Sequence, residues 1–235
     1  MNITRVEFIV TFACTGRCKH CSVGEKEDKS EHIEYARMAG MLTRLKSAYP
    51  IESVMCFGGE PLLYPDEVCS IFEEAQAAGI PMRQLITNGF FSRNPEEIAA
   101  TAEKPNQCAT QILLSVDAFH QETIPLEPVQ IFAKHAKYLK LHPAWLVSPE
   151  DGNPWNMRTR EVLTQFGDLP VSNGNIIFPR GNALKYLTEY FLGEIPQESP
   201  YDHLPCLSIL PNGNVSFDQE IIGNAYRDDI LKLMR

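Results

Sequence analysis

The chain has 235 residues, 44% of them apolar, and a formal net charge of −9 at pH 7. That size predicts one large domain, or one domain with a small appendage. No run of Lys or Arg exceeds two residues, which argues against nucleic acid and anionic membrane surfaces as partners. No segment is apolar enough to span a bilayer, and the first ten residues lack the blocks of a signal peptide, which predicts a cytoplasmic protein.

Predicted strands and helices alternate along most of the chain. Apolar and β-branched runs predict six strands, at 5–12, 51–57, 82–87, 110–117, 143–148 and 175–179. Helical spacing and start signals predict helices at 31–48, 65–79, 95–103, 128–141, 157–166 and 181–192. Alternation of this kind builds a parallel sheet with helices outside it, and a closed eight-unit barrel needs roughly 250 residues. We therefore predict an α/β fold, a partial, open (β/α)6 TIM-like barrel.

The last forty residues follow a different pattern. Residues 206–218, CLSILPNGNVSFD, predict two short strands around the turn at 211–213, and a short terminal helix follows. We expect a barrel core over 1–195. Residues 196–235 are then a linker and a small C-terminal β-hairpin appendage, and EIPQESPYDHLP leads into that hairpin.

Three of the seven cysteines, Cys14, Cys18 and Cys21, lie within eight positions directly after the first predicted strand. A structural zinc site closes with four ligands, and no second cysteine pair is present. His20 lies between two neighbours that leave it little freedom to join three adjacent thiolates. A [4Fe–4S] cluster normally takes four thiolates, so three would leave one iron open to a substrate or cofactor. The alternatives are a zinc knuckle and ordinary buried cysteines.

Polar motifs follow later strands at the edge where ligands of parallel sheets bind. Gly58, Gly59 and Glu60 end the second strand, where glycines let a ligand approach the backbone, although a plain strand-to-helix turn would also explain them. Ser115 and Asp117 are two residues apart on the fourth strand and so share one face.

Cys14-x3-Cys18-x2-Cys21 after the first strand, with GGE after the second, resembles the radical S-adenosylmethionine (SAM) enzymes, over about residues 5–192. The resemblance implies one [4Fe–4S] cluster on the three cysteines, with the methionine part of SAM on the open iron. It also implies reductive cleavage of SAM to a 5′-deoxyadenosyl radical that removes a hydrogen atom from substrate.

The resemblance gives several residues expected roles toward SAM. Gly58, Gly59 and Glu60 would contact its amino group, and Ser115 and Asp117 its ribose. Asn88, which ends the third strand, is a further SAM contact, although its Asn-Gly pair also makes an ordinary turn. His20 stands where the family often has an aromatic residue and would pack near adenine. Arg180 follows the sixth strand and would hold a carboxylate of SAM or substrate, or is simply a surface arginine.

Cys206 opens a segment that resembles the start of the cysteine-rich appendages carrying auxiliary clusters in this family. Phe217 stands near the position expected for the next cysteine, and no cysteine follows Cys206. We therefore expect a degenerate appendage without a second cluster. Cys206 is either a hydrogen-atom donor or a structural relic. His120 either touches substrate or is an ordinary exposed or core histidine.

The expected function is radical modification or oxidation of a peptide or small molecule, with electrons from a reductant such as flavodoxin or ferredoxin. One alternative is a glycyl-radical-enzyme activating enzyme, since these are similarly short and carry one cluster and a GGEP. Another is a non-catalytic iron–sulfur redox sensor, although a sensor needs no SAM pocket of GGE, Ser115 and Asp117.

Overall fold

The computed structural model describes residues 3–24, 31–191 and 206–234. The described strands are β1 Arg5–Thr11, β2 Ser53–Gly58, β3 Met82–Thr87, β4 Gln111–Leu114, β5 Leu139–Leu141, β6 Ala144–Trp145, β7 Asn175–Ile176, β8 Cys206–Ile209, β9 Asn214–Phe217 and β10 Glu220–Asn224. The described α-helices are α1 Met41–Ala48, α2 Pro65–Ala77, α3 Pro95–Glu103, α4 Leu126–His135, α5 Pro154–Thr164, α6 Asn182–Tyr186 and α7 Ile230–Leu233.

Strands β1 to β5 stand side by side in chain order, each parallel to the one before it. The carboxyl ends of these strands therefore share one edge of the sheet. After β5, β6 and β7 form a second, two-stranded parallel sheet, and Leu141 of β5 forms an isolated parallel bridge with Val171, which precedes β7. The predicted α/β partial barrel is confirmed.

Several element boundaries differ from those predicted. The helix expected over 128–141 ends at His135, and 139–141 form β5, where Leu139 and Leu141 are buried and Lys140 is exposed. That period-two burial is the strand pattern, which outweighs the helical spacing before it. The strand expected over 143–148 shrinks to Ala144–Trp145.

The helices at the two ends of the barrel are also shorter than expected. The helix predicted over 31–48 divides into a 3-10 turn at Tyr35–Met38 and α1, because Gly40 between them has a φ of +82°. The helix predicted over 181–192 is reduced to α6 and a 3-10 turn at Thr188–Tyr190.

The predicted C-terminal hairpin is confirmed, with β8 and β9 antiparallel around 211–213, and a third strand, β10, pairs with β9. β8 also pairs in parallel with β1, with Cys206 opposite Arg5, so the hairpin extends the main sheet. The predicted boundary at 195 and most of the predicted linker, up to residue 205, lie outside the described residues.

The main core lies between the sheet and its helices. Its largest fully buried side chains include Phe8 of β1, Phe72 of α2 and Phe132 of α4. A smaller core around Phe119, Leu146 and Ile177 fills the space beside β6 and β7. In the described part of the chain, no helix has the length and hydropathy needed to cross a membrane.

Candidate functional site

The three clustered cysteines lie on one tight loop at the carboxyl end of β1. Cys14 and Cys18 are buried and Cys21 is half-buried. The backbone N–H of Cys21 donates to the carbonyl of Cys18 at 3.3 Å. The guanidinium of Arg17 donates to the carbonyls of Cys14 at 2.8 Å and Gly16 at 2.9 Å, which coils the loop around its own backbone. We call residues 12–24 the cysteine loop.

The glycines after β2 press against the start of the cysteine loop. The N–H of Gly59 donates to Thr11 at 2.7 Å, and that of Glu60 donates to Ala13 at 2.8 Å. A Cβ on Gly59 would overlap the carbonyl oxygen of Ala13, so only glycine fits here. The expected close approach at the GGE motif is therefore made by the protein's own cysteine loop.

Glu60 is fully buried below this contact. Its carboxylate accepts hydrogen bonds from the N–H of Leu62 at 3.0 Å, the hydroxyl of Thr87 at 2.6 Å and the N–H of Asn88 at 2.8 Å. Burial raises the pKa of Glu60 from 4.5 to about 7, although these hydrogen bonds oppose the rise. Glu60 thus ties the end of β2 to the end of β3, and its predicted contact with SAM stays a prediction.

The ends of β3 and β4 reach the same edge. The side-chain amide of Asn88 donates to the sulfur of Cys14 at 3.5 Å. Ser115 is buried next to it, and its N–H donates to the carbonyl of Thr87 at 2.8 Å. The structure therefore brings Asn88 and Ser115 together with the cysteine loop, as expected from the ends of parallel strands. Their contacts with SAM stay predictions.

Asp117 is fully buried, and both of its carboxylate oxygens accept hydrogen bonds from backbone N–H groups. Its Oδ1 accepts from the N–H groups of Phe119 and His120, both at 2.9 Å, and its Oδ2 interacts with Nδ1 of His120 at 2.7 Å and accepts from the N–H of Ala144 at 2.9 Å. Burial alone would raise the pKa of this carboxyl, but His120 and the hydrogen bonds hold it well below its usual range. A ribose hydroxyl would have to displace one of these donors.

His20 of the cysteine loop meets His120 of the loop after β4. Their ring centroids are 4.7 Å apart in an edge-to-face arrangement, and His20 also lies 5.2 Å from Phe119. Trp155 stacks on Phe119 at 4.4 Å and belongs to residues 153–159, NPWNMRT, a segment that includes the start of α5. In the same segment, Thr159 accepts a hydrogen bond from Ala118 at 3.1 Å. The segment therefore supports the loop that carries Asp117 and His120.

The end of the barrel beyond β7 also holds the cysteine loop, through residues that the sequence analysis missed. Asn182 donates its backbone N–H to the carbonyl of Cys21 at 2.8 Å and its side-chain amide to that of Cys18 at 3.2 Å. Gly181, with a φ of +54°, packs so closely against Ser22 that an added Cβ would overlap the carbonyl oxygen there. The only available signal was their position directly after Arg180.

Arg180 is half-buried beside this contact, with its guanidinium 5.2 Å from the centroid of the Phe178 ring. It therefore lies at the rim next to the cysteine loop, where an arginine was expected. Its predicted interaction with a carboxylate stays a prediction.

Cys206 is not brought to the site. It pairs with Arg5 at the amino end of β1, whereas the cysteine loop follows Thr11 at the other end. Six residue steps of about 3.3 Å separate those ends by roughly 20 Å. Burial raises the pKa of its thiol to about 12, so the thiol stays protonated. This placement gives no support to a role as hydrogen-atom donor and agrees with a structural one.

The donor set fits an iron–sulfur cluster. Thiolates are the ligands that such clusters take, and Cys14, Cys18 and Cys21 are the residues that would hold one here. The loop is held by Gly59, Asn88 and Asn182, which come from three other parts of the chain, so the fold of the protein sets its shape. The amide of Asn88, within hydrogen-bond distance of the Cys14 sulfur, is compatible with a cluster ligand at that position.

Residues 8–142 match the family model described as the radical SAM superfamily. A stretch of 102 residues is 34% identical to 7-carboxy-7-deazaguanine synthase of Methanothermobacter thermautotrophicus. That stretch is 41% of this chain and 38% of the relative, so the match spans well under half of the curated protein.

Solved structures share the fold over the whole described chain. AnSMEcpe with bound AdoMet has a TM-score of 0.63 at 14% identity, covering 99% of this chain and 80% of that chain. Streptococcus suis SuiB bound to the precursor peptide SuiA has a TM-score of 0.59 at 12% identity, covering 99% and 64%. BtrN in complex with AdoMet and 2-DOIA has a TM-score of 0.51 at 14% identity, covering 99% and 83%. At these identities the likeness is one of fold.

Proposed function

The chain belongs to the radical SAM superfamily, and we propose that it binds one [4Fe–4S] cluster through Cys14, Cys18 and Cys21 and binds SAM beside it. When bound, the cluster would supply the electron that splits SAM into methionine and a 5′-deoxyadenosyl radical. We propose that this radical removes a hydrogen atom from a peptide or a small molecule. The observation that carries the proposal is the cysteine loop, whose three thiols sit at the carboxyl edge of a parallel sheet.

The neighbouring residues support this assignment because they hold the backbone of the cysteine loop in place. Gly59 allows the end of β2 to contact the backbone at Ala13, and Asn182 donates hydrogen bonds to the carbonyls of Cys18 and Cys21. A loop held in this way presents its thiols with little further loss of backbone entropy on cluster binding. The retained polar edge of Asn88 and Ser115 favours an enzyme over a redox sensor, since a sensor needs no polar site beside its cluster.

The proposal of a single cluster rests on the C-terminal part. Cys206 is the last cysteine of the sequence, and it lies at the end of β8 away from the cysteine loop. Phe217 ends β9 near the position where a further ligand was expected. We propose that the hairpin serves the sheet rather than a second cluster, and that electrons reach the single cluster from a flavodoxin or ferredoxin.

A small-molecule substrate is favoured by one specific observation. The relative that matches at 34% identity is a 7-carboxy-7-deazaguanine synthase, so a deazaguanine-type heterocycle is the small molecule to test first. A peptide remains the other substrate class. Activation of a glycyl-radical enzyme is the third candidate and has no support beyond the shared short barrel with one cluster.

Anaerobic reconstitution followed by iron counting and SAM cleavage tests the proposal. We expect about four irons per chain and, with SAM and dithionite, formation of 5′-deoxyadenosine. Cys18→Ala should lose both. About eight irons per chain would contradict the single cluster, and an assembled cluster that yields no 5′-deoxyadenosine would favour a redox sensor. Transfer of deuterium into 5′-deoxyadenosine from labelled heterocycles or labelled peptides would then identify the substrate class.

A further inference from the structure

We infer that Asn88 tunes the reduction potential of the cluster by donating a side-chain hydrogen bond to the ligand sulfur of Cys14. The inference rests on the proposed cluster and assigns Asn88 a positioning and electrostatic role that does not require SAM. It differs from the expectation that Asn88 contacts SAM.

The contact itself is short and enclosed. Nδ2 of Asn88 lies 3.5 Å from Sγ of Cys14, within the range of hydrogen bonds to sulfur, and both residues are about 6% exposed. The same amide nitrogen lies 3.4 Å from the hydroxyl oxygen of Thr15, the residue after Cys14. The two donor hydrogens of the amide thus face the cysteine loop at its first ligand.

The orientation of the amide is determined by its surroundings. Oδ1 of Asn88 accepts a hydrogen bond from the N–H of Phe90 at 2.8 Å. A flipped amide would place its NH2 group against that N–H and its oxygen against the Cys14 sulfur, losing the bond at both ends. The backbone N–H of Asn88 is held separately by Glu60 at 2.8 Å, which fixes the residue from below.

An amide hydrogen at a ligand sulfur changes the energy of cluster reduction. Reduction adds negative charge to the cluster and its sulfurs, and a donor directed at a sulfur stabilises that charge. In a site shielded from solvent the effect is larger than it would be in water. Asn88 should therefore make the reduction potential less negative, which makes the cluster easier for an external electron donor to reduce.

Two substitutions at Asn88 and one matched control test the direction of the effect. Asn88→Leu removes the donor, and Asn88→Asp keeps an acceptor for Phe90 while it places a carboxylate at the sulfur. Asn106→Asp makes the same chemical change at a half-buried residue whose amide donates to the carbonyl of His135 and accepts from the N–H of Lys137, away from the cysteine loop. The midpoint potential is measured without SAM, by anaerobic titration of the reconstituted cluster followed by electron paramagnetic resonance.

We expect the midpoint potential to become more negative in Asn88→Leu, still more negative in Asn88→Asp, and to stay unchanged in Asn106→Asp. Potentials equal to wild type in both Asn88 variants would overturn the inference. Measuring without SAM separates this role from a SAM contact, which would alter SAM affinity and leave the potential of the free cluster unchanged.

A measurement on the wild-type protein decides the question where the variants fail to assemble a cluster. With asparagine labelled with ¹⁵N in its side-chain amide, the reduced cluster should show a hyperfine coupling to an amide nitrogen. Asn106→Ala should keep that coupling, because the Asn106 amide donates to the carbonyl of His135, away from the cysteine loop. A wild-type cluster without the coupling would overturn the inference. A wild-type chain that assembles no cluster at all would instead refute the proposed function.

Discussion

The carboxylate of Asp117 holds the imidazole of His120 at 2.7 Å, in a place where the Asp117 side chain is closed to solvent. The same carboxylate receives the N–H of Ala144, at the start of β6. One buried group therefore joins the loop after β4 to the strand that begins the second, smaller sheet. A buried charge with four donors is stable only while those donors remain.

We expect Asp117→Asn to lower the free energy of unfolding by about 3 kcal/mol, because one carboxylate oxygen becomes an NH2 group that faces other donors. Urea unfolding of the apo protein measures the change. The control is Glu122→Gln, which breaks the partly exposed ion pair with Lys19 and should cost less than about 1 kcal/mol. Equal decreases in the free energy of unfolding of the two variants would show that the buried carboxylate stabilises the fold no more than the partly exposed ion pair does.

Glu60 should make stability depend on pH. Its pKa is raised from 4.5 to about 7 in the folded protein, so the folded state holds the proton more tightly than the unfolded chain does. The stability that the protonated Glu60 contributes is fully present below pH 4.5, declines as the pH rises from 4.5 to about 7, and is lost above that. At about 1.4 kcal/mol per pKa unit the total is about 3 kcal/mol.

Glu60→Gln should remove that decline, although its amide also loses a hydrogen bond and lowers stability at every pH. Urea unfolding at several pH values between 4.5 and 7, with wild type and variant side by side, measures the difference in slope. Parallel curves would mean that Glu60 is ionised throughout.

Gly59→Ala should prevent the cysteine loop from reaching its place. The added Cβ overlaps the carbonyl oxygen of Ala13, and backbone on both sides must move, at a cost of about 3 kcal/mol or more. The measurements are urea unfolding and iron content after reconstitution, and both should fall. Gly152→Ala is the matched control, since its Cβ would meet nothing within 4 Å and should leave both unchanged. Normal iron content in Gly59→Ala would contradict the close contact between β2 and the loop.

Cys206→Ala should leave the cluster and SAM cleavage intact. Cys206 lies beside Arg5, roughly 20 Å along the sheet from the cysteine loop. We expect iron content and 5′-deoxyadenosine formation within twofold of wild type, whereas Cys18→Ala should lose the cluster absorption. Loss of 5′-deoxyadenosine in Cys206→Ala, with a normal iron content, would restore Cys206 as a candidate catalytic residue.

Much of the candidate site could be predicted because it follows from strand order. Polar residues that directly follow strands of a parallel sheet must meet at one edge, and this places the cysteine loop, Gly59, Asn88 and Ser115 together. Each of these residues belongs to a local sequence pattern, and the parallel order of the strands then places them at the same edge of the sheet.

Contacts that depend on long-range closure could not be predicted. The bond from Asn182 to Cys18 joins residues 164 positions apart, and nothing near Asn182 distinguishes it from a helix-start residue. The hydrogen bond from the N–H of Ala144 to the carboxylate of Asp117 likewise joins residues 27 positions apart and has no local sequence signal, whereas the ribose contact that the resemblance implies for Asp117 stays a prediction. Similarly, the spacing of α4 gave no sign that the chain turns into β5 after His135.

The pairing of β8 with β1 has a consequence for the solution behaviour of shorter chains. β1 has a row of buried apolar side chains and is an interior strand only because β8 occupies its free side. A chain cut after Phe191 would present β1 as a bare edge with unpaired N–H and C=O groups, the kind of template on which chains join one another. The C-terminal hairpin thus covers the edge of β1, the strand that leads directly into the cysteine loop, and this pairing should limit aggregation.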